Sequence, residues 1–131
     1  MIASGISRID PASNSVETTI AVSGLGGPIT GEGTAGILAA GPGAVWASVW
    51  PDHVVWRIDP RTNTAAGTIP AGQEPVNVAV GEGAVWVENR SDGTVTRIDP
   101  FSDKVVETIS VGYVLRSIAA GEGAVWVSVV R

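Results

Sequence analysis

The sequence contains no cysteine, which excludes disulfides, thiolate-bound zinc, iron–sulfur clusters and a cysteine nucleophile. It has a single histidine, His53, so a histidine-built zinc site is equally hard to assemble. Charge is sparse and acidic: 16% of residues are charged and the net charge is -5, with no basic stripe to interrupt it. Such a surface repels phosphate backbones, so no nucleic-acid partner is expected. No apolar run approaches the roughly 20 residues needed to cross a bilayer. The N-terminus also lacks a basic segment followed by an apolar stretch, so a soluble chain with no membrane partner and no secretion signal is expected. The compartment is left open. Apolar residues at helical spacing are missing throughout, which argues against helical repeats.

What the chain has instead is glycine, proline and β-branched residues. With 17 Gly, 8 Pro and 44% hydrophobic residues, the composition suits many short strands joined by tight turns. At 131 residues it supports one modest core, so any large site must be shared between chains or sit in a loop.

The segment Gly-Pro-Gly-Ala-Val-Trp-Ala at 41–47 returns as Gly-Glu-Gly-Ala-Val-Trp-Val at 81–87 and 121–127, a period of 40 residues both times. Arg-Ile-Asp-Pro occurs at 57–60 and 97–100, 11 residues beyond Trp46 and Trp86, and a third copy starts at Arg8. Within one period, four alternating or β-branched runs (75–81, 84–89, 94–99 and 104–111) are separated by Gly, Asp-Pro and Ser-Asp-Gly turn signals. Four strands per repeat of this length make a propeller blade. In order, they are strands a to d.

The chain opens on strands c and d of one blade, completes two blades, and ends on strands a and b of another. The expected units are a half-blade at 1–22, blades at 35–71 and 75–111, a half-blade at 115–131, and a loop insertion at 23–34. Three blades are too few to enclose a channel, whereas two chains give six. The expectation is therefore an all-β half-propeller that closes as a homodimer with shared blades. A second copy would cover the open faces and strand edges. A piece of a longer six- or seven-bladed chain is the alternative.

The pattern Pro-x-x-(Ile/Val)-Ala-x-Gly-x-Gly-Ala-Val-Trp-Val, then (Thr/Val)-x-Arg-Ile-Asp-Pro and Val-x-Thr-Ile, resembles the repeats of streptogramin lyase (virginiamycin B lyase-like) and of NHL and YVTN-type propellers. The likeness covers essentially the whole chain. It implies blades, while function varies across that superfamily from lyases and hydrolases to sensors and binding modules.

Strands alternate direction, so the a–b and c–d turns share one face and are nearly identical in every repeat. The b–c and d–a loops share the other face and differ, which makes that face the expected location of function. There, Trp50, Arg90, Tyr113 and Asn77 are candidate substrate contacts. His53 is a candidate general base, Glu88 a candidate catalytic carboxylate, and Arg116 a candidate oxyanion or carboxylate partner. Glu88, Asn89, Asp92 and Asp52 are oxygen ligands suited to calcium or magnesium. Trp46, Trp86 and Trp126, in register on strand b, are expected between blades, and the glycine-rich insertion is a candidate lid. Inner-strand positions 36, 76 and 116 should lie near the channel mouth. The related lyases place histidine near that position, where this chain has Val76 and Arg116.

The leading functional expectation is a metal-assisted hydrolase of a lactone, arylester or phosphotriester at the channel mouth, an activity that the resemblance implies. A non-catalytic ligand-binding, sensor or scaffold module is the alternative, and a lyase of the streptogramin lyase type ranks third. A serine triad is disfavoured because no nucleophile elbow is present.

Overall fold

A computed structural model describes residues 5–22, 37–41 and 43–130. The insertion at 23–34 and Gly36 lie outside the described residues. Among those described, the chain forms twelve strands and one 3-10 turn at Trp50–Asp52, with no α-helix.

The strands make four antiparallel sheets. β1 (Gly5–Asp10) and β2 (Ser15–Ala21) form a two-stranded hairpin. The first complete blade comprises β3 (Leu38–Gly41), β4 (Ala44–Val49), β5 (Val54–Asp59) and β6 (Thr64–Pro70), hydrogen-bonded in sequence order. The second comprises β7 (Pro75–Gly81), β8 (Ala84–Asn89), β9 (Thr94–Asp99) and β10 (Lys104–Ser110). β11 (Val114–Gly121) and β12 (Ala124–Val130) form the closing pair. Two four-stranded sheets are thus flanked in the chain by two two-stranded ones.

The turns repeat because their chemistry does. Asp10, Asp59 and Asp99 each accept a bond from the backbone N–H two residues on, at 2.8 to 3.0 Å. Asn14, Asn63 and Asp103 then take the left-handed conformation at φ 55–59°, which short polar side chains tolerate. These Asx turns carry three carboxylates held below the ordinary aspartate value. For Asp10 the main cause is the Ser13 hydroxyl, and for Asp59 and Asp99 the backbone N–H of Arg61 and Phe101.

The core lies between blades. Trp46 packs with Val78, Val85 and Val87 of the next blade, and Trp86 packs with Leu115, Ile118 and Val125 of the closing pair. Because neighbours cover both its faces, every residue of β8 is buried. β12 occupies the same place in its repeat but has no blade beyond it, and Trp126 is accordingly 60% exposed against 1% for Trp46 and 7% for Trp86. The expectation that all three tryptophans lie between blades therefore holds for two within a single chain.

Strands β7 and β11 each carry a bulge at the same repeat position. Pro75 pairs with Asn89 and Asn77 with Glu88, leaving Val76 unpaired; Leu115 pairs with Val129 and Ser117 with Ser128, leaving Arg116 unpaired. A bulge turns its backbone out of the ladder. The two displaced carbonyls accept bonds from the preceding blade, from Ser48 Oγ to Val76 at 2.8 Å and from Asn77 Nδ2 to Arg116 at 3.0 Å.

Candidate functional site

The b–c and d–a loops meet on one face, as the alternation of strands requires. Around the second blade they are laced together. Asn89 is fully buried; its Oδ1 accepts from the Gly72 N–H at 3.0 Å, and its Nδ2 donates to the Thr94 and Thr96 hydroxyls at 3.1 and 2.7 Å. Asp92 Oδ2 accepts from the Gln73 N–H at 2.8 Å. The Arg90 N–H donates to the Glu74 carbonyl at 2.9 Å, and the Ser91 hydroxyl donates to the Glu74 carboxylate. Asn89 and Asp92, expected as metal ligands, thus spend these polar atoms fastening loop to loop.

Beside this lacing, Arg90, Asp92, Tyr113 and Val130 line an open hollow of about 390 Å³ between the second blade and the closing pair. The structure therefore brings the expected substrate contacts Arg90 and Tyr113 to one place. Nε of Arg90 is buried without a hydrogen-bond partner.

A second cluster gathers Glu88, Asn77 and Arg116. Glu88 is fully buried, and its Oε2 accepts from Asn77 Nδ2 at 2.7 Å. Its Oε1 is buried with no partner. The same strand position holds Ser48 and Ser128 in the other repeats, where the hydroxyls bond to the Val76 carbonyl and to Ser117 Oγ. Where two repeats have a neutral hydroxyl, this one has a carboxylate that makes no ion pair among the described residues. Burying such a charge is costly unless something compensates it. The Arg116 side chain is exposed at its bulge.

The remaining candidates stand in the first blade. Trp50 begins the 3-10 turn, Asp52 ends it exposed, and His53 follows in the left-handed conformation at φ 57°. The His53 carbonyl accepts from the Ala71 N–H at 2.9 Å, while Nδ1 of His53 and Nε1 of Trp50 are buried without partners. Among the described residues, no three of His, Asp and Glu converge as a metal-binding group. Sequence reasoning did not identify Ser48, whose hydroxyl joins two blades; its alignment with Glu88 in the repeat was the available signal.

No protein-family model matches the sequence, and no curated protein sequence is significantly similar to it. Solved structures do resemble the fold. Virginiamycin B lyase from Staphylococcus aureus superposes with a TM-score of 0.73 at 17% identity, over 95% of this chain and 42% of that one. AztD from Citrobacter koseri, in its apo form, gives 0.70 at 16% identity, over 89% and 33%. The glutaminyl cyclase of Myxococcus xanthus gives 0.57 at 18% identity, over 88% and 55%. The chain spans about half or less of each of these proteins and has the propeller fold they share. That fold serves both enzymes and binding modules.

Proposed function

We propose that the chain is one half of a six-bladed propeller completed by a second copy, and that the ring is a ligand-binding module centred on a small cation at Glu88. The observation that carries the site is the fully buried Glu88 carboxylate with one oxygen paired to Asn77 and the other unpartnered. A carboxylate in that setting gains most from a positive charge of small radius. Calcium and magnesium fit its oxygen chemistry. Only one carboxylate is offered, so the remaining ligands would come from carbonyls, water or the small molecule itself. The hollow between the second blade and the closing pair, with Arg90 and Tyr113 on its wall, suits a small polar ligand.

A metal-assisted hydrolase is the second reading, and the same unpartnered oxygen favours it. A cation held there would polarise an ester or phosphoryl oxygen, with Arg116 as the group that meets developing negative charge. His53 stands in the turn of the first blade and would act as a base only on a substrate that reaches it.

Thermal unfolding in calcium, magnesium or ammonium chloride, compared with sodium chloride at equal ionic strength, tests the cation site. A rise in Tm that Glu88→Gln abolishes supports it, and equal curves in all four salts defeat it. Hydrolysis of lactones, arylesters and phosphotriesters with and without a chelator separates the readings. Turnover lost with chelator and restored by metal favours the hydrolase, and folded protein inert on every substrate favours the binding module.

A further inference from the structure

The isoleucine positions on strands c and d that face a neighbouring blade are each buried twice and exposed once. On strand c the series is Ile58 at 2%, Ile98 at 0% and Ile9 at 63%; on strand d it is Ile69 at 2%, Ile20 at 7% and Ile109 at 40%. With Trp126, these mark two uncovered surfaces. One is the free edge and outer face of β12 together with the adjoining face of β10, every residue of which is exposed. The other is the free edge of β1 with an apolar cavity of about 380 Å³, lined by Leu38, Ala40, Val45 and Ile58 on the first blade and by Ile6 and Ile20 on the hairpin.

The cavity has the lining that a strand-b tryptophan uses elsewhere in this molecule. Trp46 sits against Val78, Val80, Val85 and Ile98, which are the residues 40 positions after Leu38, Ala40, Val45 and Ile58. Trp86 sits against Ile118, Ala120 and Val125, the next set in the series. Trp126 is the one strand-b tryptophan without such a seat, and the cavity is the one seat without its tryptophan. Its ring is already held, because Nε1 donates to the Gly121 carbonyl at 3.1 Å, as Trp86 does to Gly81 at 2.9 Å. Glycine at this turn lets the following blade approach closely. A Cβ on Gly41 would collide with Val80, and one on Gly81 would come within 3.0 Å of Ala120, whereas one on Gly121 would meet nothing within 4 Å.

We infer that this cavity is the seat of the Trp126 of a second copy, whose β12 adds to β1 as strand b of a composite blade in a fixed register. The register follows from the two blades that show it: Trp46 lies opposite Arg57 and Trp86 opposite Arg97, with Ala47 opposite Trp56 and Val87 opposite Thr96. The partner's Trp126 therefore falls opposite Arg8, and the partner's Val127 opposite Ser7. Arg8 repeats the guanidinium that stands over Trp46 and Trp86. It already reaches the next blade at Asn63 Oδ1, 3.0 Å away, as Arg57 reaches Asp103 at 3.4 Å. By the same step Arg97 meets the partner's Asn14. A two-fold pair makes this contact twice and covers the free edges of β1 and β12.

The inference rests on ring closure by a second copy, and one experiment separates the two. The chain has no cysteine, so Ser7→Cys with Val127→Cys is a clean cross-linking pair, and Ser7→Cys with Val129→Cys is its control two residues out of register. The expected result is a dimer by solution mass, with covalent dimer formed by the first pair and far less by the control. A dimer that cross-links only through the control, or through neither, overturns the register while leaving closure standing. A trimer or an open-ended oligomer cross-linked by the first pair keeps the strand pairing and overturns the six-bladed ring. A monomer at every concentration overturns both, and means that another chain or segment covers these edges. Trp126→Ala, which leaves each chain's own core untouched, should weaken the dimer at least about a hundredfold; an unchanged dissociation constant would empty the cavity of its assigned occupant.

Discussion

Arg97 stands over the indole of Trp86, its guanidinium carbon 5.0 Å from the ring centroid, and the two residues are direct cross-strand partners on β9 and β8. The pair joins the repeat's two most recognisable sequence marks. Truncating the ring removes a large buried side chain, so Trp86→Ala should cost about 3–5 kcal/mol in urea unfolding. Arg97→Ala removes only the stacked cation and should cost about 0.5–1 kcal/mol. Equal losses would mean that the guanidinium, rather than the indole, organises this contact.

The Ser48 hydroxyl ties the first blade to the second through the carbonyl exposed by the Val76 bulge. Ser48→Ala leaves that carbonyl unpaired and should destabilise by about 1–3 kcal/mol, while Ser48→Thr, which keeps the hydroxyl, should lose less. Hydrogen exchange should quicken along β7 in the alanine variant, because that is the strand the bond anchors.

With no cation added, Glu88→Gln should raise stability near neutral pH by about 1–3 kcal/mol. It replaces a buried carboxylate, one of whose oxygens has no partner, by a neutral amide whose oxygen still accepts from Asn77. A loss of stability in low-salt denaturation would show that the charge is already balanced within the fold.

The three Asx-turn carboxylates set an acid limit. Asp10, Asp59 and Asp99 titrate below their ordinary value of 3.8 in the folded chain, so the unfolded chain takes up protons first as pH falls. Their contribution is fully present above that value and is lost as pH drops through it and on through the lower folded values. Tm should therefore show no pH dependence from these groups above about pH 5 and a fall below 4. In Asp59→Asn the side-chain oxygen still accepts the turn bond but no longer titrates, so the fall should be shallower. An unaltered acid limb would remove the Asx turns as its cause.

Much of this fold is legible in the sequence because each blade strand is short, alternating and bounded by turn chemistry. The runs at 75–81, 84–89 and 94–99 coincide with β7, β8 and β9, and the run at 104–111 ends one residue beyond β10. The site was less legible. Residue type places Asn89 among metal ligands and loop fasteners alike, and only the Gly72, Thr94 and Thr96 contacts decide between them. The bulges at Val76 and Arg116 left no mark in the alternation, since a bulge adds one residue without altering the apolar pattern on either side. Trp126 carries the same motif as Trp86, so its exposure follows from its place at the end of the array and not from any local signal.

Asn89 has a consequence for how this surface changes over time. By clamping both sides of the b–c hairpin to the preceding loop from beneath, it makes the fold of the loop independent of most of what stands at its tip. Residue 90 joins the lacing through its backbone N–H, so its side chain can be exchanged at little cost to the blade, and a new ligand preference can arise there. The loop is thus an interchangeable head on a fixed handle, a natural place to graft recognition.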